Sequence, residues 1–94
     1  MNFKAKNLYL QVKIEEIIKE FNKYRVPEIE AHLKLLKESF FEITFLGSFC
    51  ETCGFYDCFE DFQILSKEFG LVTNITEIKE IMNGANVLYT IKRI

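Results

Sequence analysis

Chemistry in this chain concentrates in one short stretch, Ser48-Phe49-Cys50-Glu51-Thr52-Cys53-Gly54, with the third cysteine at Cys58. A C-x-x-C pair can close a disulfide within itself or offer two thiolates to one metal ion. The pair follows a strand-like run, Phe41 to Leu46, and precedes a helix-like run ending at Gly70. Ser48 with Glu51 fits a capping box. If Ser48 caps a helix, Cys50 takes its second position and Cys53 follows one turn later, so the two thiols share a face. Unpaired backbone N–H groups and the positive end of the peptide dipoles would then favour the Cys50 thiolate. Cys50 becomes the attacking thiol and Cys53 the thiol that resolves the mixed disulfide. The nearby carboxylates of Glu51, Asp57, Glu60 and Asp61 act in the opposite direction, raising a neighbouring thiol's pKa.

The same residues allow a metal reading. Cys50, Cys53 and Cys58 form C-x2-C-x4-C, and zinc or an iron–sulfur cluster normally takes four ligands. His32, the only histidine, or Asp57 would have to supply the fourth. The plainer reading of Cys58 is a core side chain, because it falls on one helical face with Phe62, Leu65 and Phe69. His32 reads as a surface residue of a helix. Glu60 and Asp61 read as capping and solvated-face carboxylates.

These residues need elements to hold them. Leu10, Ile14, Ile17, Ile18 and Phe21 recur at helical spacing among Lys and Glu, which predicts a helix from about Gln11 to Tyr24. Leu8, Leu10 and Val12 also alternate, so a short strand there is the competing pattern. Pro27 suits the first turn of a second helix, with Ile29, Leu33 and Leu36 as its apolar face and an end near Glu38. Phe41, Ile43 and Phe45 alternate with Glu42 and Thr44, a half-buried strand. Asp57 with Glu60 fits a second capping box opening a helix over 57–69, and Gly70 is a natural stop. Ile75–Met82 and Val87–Ile94 flank Asn83-Gly84, a hairpin signal that sets Ile78 opposite Tyr89 and Met82 opposite Ala85. A short helix over Thr76–Asn83 is the rival pattern. The sum is an α+β domain: two N-terminal helices and a C-x-x-C-bearing helix packed on a small, mainly antiparallel sheet that ends in a β-hairpin.

The stretch from Phe41 through Cys50-Glu51-Thr52-Cys53, followed by a helix ending Leu65-Ser66-Lys67-Glu68-Phe69-Gly70, resembles the strand, active-site C-x-x-C and first long helix of the thioredoxin-like superfamily. The aromatic Phe49 before the first cysteine and the closing Asn83-Gly84 hairpin are similar as well. The resemblance implies thiol-disulfide oxidoreductase or redox-sensing activity, with Cys50 attacking and Cys53 resolving. A second resemblance points elsewhere. Leu65 to Val72, followed by the hairpin and Tyr89-Thr90-Ile91, is similar to the recognition helix and wing of winged-helix DNA-binding proteins. It implies a helix docked in the major groove and a wing carrying Lys79, Lys92 and Arg93. A third class is an interaction module without catalysis, such as a homo-oligomer built on surplus aromatic surface or a free sheet edge.

Composition narrows these classes. The chain has 94 residues, enough for a single domain over 1–94 with one core. Ten Phe and no Trp make that core phenylalanine-based. The net charge of −2 argues against a general nucleic-acid or membrane-surface binder. Glu38, Glu42, Glu51, Asp57, Glu60 and Asp61 fill a window without any Lys or Arg, so the cysteines sit in acidic surroundings and Lys67 alone supplies positive charge on the 57–69 helix. No apolar run is long enough to span a bilayer and no secretory pattern is present, which implies a cytoplasmic protein. The expectation is a small cytoplasmic dithiol domain whose partner is a protein disulfide or dithiol, with no bound organic cofactor.

Overall fold

The computed structural model describes residues 3–25, 29–47 and 55–93. The elements are α1 (Phe3–Arg25), β1 (Ile29–Leu36), β2 (Phe40–Gly47), α2 (Phe55–Glu68), β3 (Val72–Ile81) and β4 (Gly84–Arg93). The strands form one antiparallel sheet in the order β1-β2-β4-β3. The α+β class expected from the sequence is therefore present, built among the described residues from two helices and four strands.

Helix α1 forms because its apolar residues make one stripe. Leu10, Ile14, Ile17 and Phe21 are each no more than 3 % exposed, while Leu8 and Val12 on the far side are more than half exposed. The alternating Leu8-Leu10-Val12 pattern thus belongs to a helix, not a strand.

The second predicted helix is replaced by strand β1. Ile29, Ala31 and Leu33 point to the core, and Glu30, His32 and Lys34 point away. A register shift between Leu33 and Leu35 interrupts the two-residue period, and this break made the segment look helical. Pro27 lies outside the described residues.

Strand β2 holds the centre of the core, with Phe41, Ile43 and Phe45 fully buried. Both helices cover this same face. Phe21 of α1 meets Phe45 edge-on, and Phe59 and Phe62 of α2 contact the same ring at centroid distances of 5.0 and 5.7 Å. Tyr89 of β4 stacks on Phe41 and touches Phe62. The result is two layers, helices on one side and an open sheet face on the other.

Helix α2 begins at Phe55, so Asp57 lies within its first turn and does not cap it as expected. Its end is a Schellman motif. Gly70 has φ +87°, its N–H bonds Lys67 O, and the Leu71 N–H bonds Ser66 O. The Lys13 ammonium donates to Phe69 O at 2.8 Å, tying α1 to the same helix end.

Strands β3 and β4 pair as a hairpin, but the turn is Met82-Asn83, one residue earlier than the Asn83-Gly84 signal suggests. Ile78 therefore faces Val87, and Tyr89 faces Ile75. Neither Met82 nor Asn83 adopts a positive φ. Gly84 is required elsewhere: it pairs with Leu46, and a Cβ at Gly84 would run into the Phe45 carbonyl oxygen. Its glycine serves the close approach of β2 and β4, not the turn.

Candidate functional site

Cys50 and Cys53 lie outside the described residues, in the seven-residue connection from Gly47, the last residue of β2, to Phe55, the first of α2. Cys58 is described. It carries no disulfide, is 5 % exposed, and belongs to the core cluster with Phe59, Phe62 and Tyr89. Placed in the first turn of α2, it points under the helix because it shares a face with Phe62, one turn on. A sulfur in that position is closed to a protein-sized disulfide.

Tyr89 is the polar centre of this region. Its hydroxyl donates to Phe59 O at 2.9 Å, which satisfies a buried phenol. Burial, and secondarily the negative charge that a Cys58 thiolate would place nearby, hold the phenol well above its ordinary value. Tyr89 is thus a neutral donor that fixes β4 to the start of α2, the helix that follows the C-x-x-C segment. Sequence reasoning set Tyr89 opposite Ile78 in the hairpin but did not find this bond. Its partner is a backbone carbonyl, which leaves no mark in side-chain pattern.

His32 sits on β1, not on a helix. Its side chain is on the open face of the sheet, with Nε2 3.5 Å from a Glu30 carboxylate oxygen. Cys58 packs on the opposite, helix-covered face, so the structure does not bring these two metal-ligand candidates together. Asp57 and Glu60 are exposed on α2. Among the described residues, no three His, Cys, Asp or Glu side chains gather in a metal-holding group.

Two amide side chains missed by the sequence reading hold the sheet margins. Asn22 of α1 donates from Nδ2 to Ala31 O at 3.0 Å and accepts the Ala31 N–H at 2.8 Å. Gln63 of α2 donates to Thr73 O on β3 at 2.7 Å. Each helix thereby anchors one outer strand. Asn22 lies one turn beyond Ile18, so a polar residue on the flank of an apolar stripe was the available signal.

An open groove between α1 and α2 is lined by Glu20, Tyr24, Asp61, Ile64, Leu65 and Glu68. Its charged lining is carboxylate, from Glu20 of α1 and Asp61 and Glu68 of α2. None of the described helices is long and apolar enough to cross a membrane. Comparison of the chain with protein-family models, with curated proteins and with solved structures finds no match.

Proposed function

We propose that the chain is a dithiol domain in which Cys50 and Cys53 exchange electrons with a protein disulfide or report redox state. The observation that carries this reading is the order of the elements. A central strand, β2, leads into the C-x-x-C connection, and a helix, α2, follows directly. Both ends of the connection are held. The Gly47 N–H bonds Asn83 O at 2.8 Å, and the start of α2 is fixed through the Tyr89–Phe59 bond. The C-x-x-C directly precedes α2 in the sequence, and a thiol at the amino end of a helix is in the setting that favours a thiolate.

In the exchange, the Cys50 thiolate attacks one sulfur of the partner's disulfide. The partner's other sulfur leaves as a thiolate, and a mixed disulfide forms. Cys53, deprotonated, then attacks the Cys50 sulfur and releases the partner's second thiolate. Two electrons pass to the partner, whose disulfide is reduced, and the chain is left with a Cys50–Cys53 disulfide. Buried Cys58 takes no part. A reducing compartment such as the cytoplasm would return the pair to the dithiol.

The test is thiol titration and intact mass with and without reductant, followed by exchange with a small protein disulfide. The expected result is one reversible intramolecular disulfide, lost in Cys50→Ser and in Cys53→Ser and kept in Cys58→Ala. Cys53→Ser should trap a mixed disulfide through Cys50. Unchanged exchange in Cys50→Ser overturns the assignment. One zinc ion or one cluster per chain in protein purified without chelator would replace this reading with the thiolate-metal one.

A further inference from the structure

The two edges of the sheet are finished differently. At the β1 edge, Asn22 occupies both backbone groups of Ala31 that point away from β2, as a neighbouring strand would. The register break at Leu33/Leu35 further spoils that edge for pairing. At the β3 edge, Gln63 holds Thr73 O, close to the start of the strand. Beyond the register shift at Ile75/Glu77, β3 pairs regularly with β4 from Glu77 to Ile81. Over this run Glu77, Lys79, Glu80 and Ile81 are exposed and Ile78 is partly so.

The chemistry of that run is self-complementary. The two-residue turn makes Ile81–Gly84 the closing hydrogen-bonded pair, and such pairs alternate along an antiparallel ladder. Ile78, opposite Val87, therefore sends its N–H and C=O outward. An antiparallel copy of β3 centred on Ile78 would set Ile78 against Ile78 of the second copy. It would also set Glu77 against Lys79 twice, by symmetry. Glu77 and Lys79 face the open side of the sheet, opposite Leu88 and Asn86, so each pair lies on one face. Neither has an ion-pair partner within its own chain among the described residues.

We infer that the β3 edge pairs with the β3 edge of a second copy of this chain, giving a two-fold dimer with a continuous eight-stranded sheet. Because the β1 edge is sealed, the assembly closes at two copies and does not grow into a filament. This does not depend on the cysteines, so it stands or falls apart from the dithiol reading.

Sedimentation of the full chain in reductant, over a range of concentrations, tests it. The wild type should be a dimer. Lys79→Glu and Glu77→Lys each place like charges opposite each other twice and should weaken dimerisation by about tenfold or more. Mixing the two single variants should restore a dimer, because each supplies the charges the other lacks. The double variant Glu77→Lys/Lys79→Glu should likewise recover wild-type association. Both positions are exposed, and circular dichroism confirms that each variant is folded. A wild type that stays monomeric at hundreds of micromolar, single variants that dimerise as well as wild type, or folded mixtures that stay monomeric would each overturn the inference.

Discussion

The two faces of the sheet come from the same four strands yet are built by different rules. The helix-covered face is aromatic: Phe41, Phe45, Phe59, Phe62 and Tyr89 interlock, and a backbone carbonyl satisfies the Tyr89 phenol. The open face carries Glu30, His32, Lys34, Glu42 and Thr44, and at its middle Thr44 donates to the Asn86 amide oxygen at 2.6 Å. The first face holds the fold by area and ring geometry. The second keeps polar groups paired at little net gain, since water offers similar partners. Stability of the single chain therefore resides on the helix-covered side.

The strongest way to break this contrast is Phe62→Ala. Phe62 touches Phe21, Phe45 and Tyr89 and is fully buried. The expected loss is about 3–5 kcal/mol by denaturant unfolding. A loss below about 1 kcal/mol would mean that the aromatic cluster does not hold the two layers together.

Tyr89→Phe should cost about 1 kcal/mol at neutral pH, because the buried hydrogen bond from the phenol to Phe59 O is lost. The same variant sharpens the comparison through pH. The folded-state phenol lies well above the ordinary value of 10.0, so above that pH the unfolded chain gives up its proton first. Stability contributed by the neutral phenol is complete below the ordinary value and is lost as pH rises from there through the folded-state value. Wild type should therefore weaken more steeply than Tyr89→Phe in alkaline denaturation. Parallel curves for the two proteins would contradict the burial of this group.

Thr73→Val should stabilise the fold by about 1 kcal/mol. Its hydroxyl is buried on the helix side without a hydrogen-bond partner among the described residues, whereas the buried Ser66 hydroxyl donates to Phe62 O. An unchanged or lower denaturation midpoint would show that the hydroxyl is satisfied in solution. The smallest effect belongs to the open face. Thr44→Val removes one partly buried hydrogen bond and should cost about 0.5–1 kcal/mol, a small fraction of the Phe62 effect. A loss equal to that of Phe62→Ala would erase the distinction between the faces.

Parts of this architecture were legible from residues alone, for physical reasons that differ by element. Strand β2 announced itself because Phe41, Ile43 and Phe45 are large and alternate without interruption. The end of α2 was legible at Gly70, where a left-handed backbone needs glycine. Strand β1 was misread because its middle inward residue, Ala31, carries too little apolar weight to reveal the two-residue period, and Leu35-Leu36 breaks it. The hairpin turn was displaced by one residue because Gly84 answers to β2, a constraint from a strand far away in sequence. The Cys50 and Cys53 expectations fall outside the described residues, while Cys58 was readable as core from its spacing to Phe62. Asn22 and Tyr89 escaped because both bind main-chain groups, whose positions exist only once the fold does.

The strand order also bears on how the chain comes into being. Strand β4 follows the other three in the chain yet lies between β2 and β3, and among the described residues it alone joins the two hairpins. A nascent chain emerging from the ribosome can zip up its first hairpin beneath α1, but β3 has no neighbour until the residues after Asn83 have cleared the exit tunnel. The four-stranded sheet is thus completed only once β4 is available, and a nick in the Met82-Asn83 turn would sever the piece that bridges both halves.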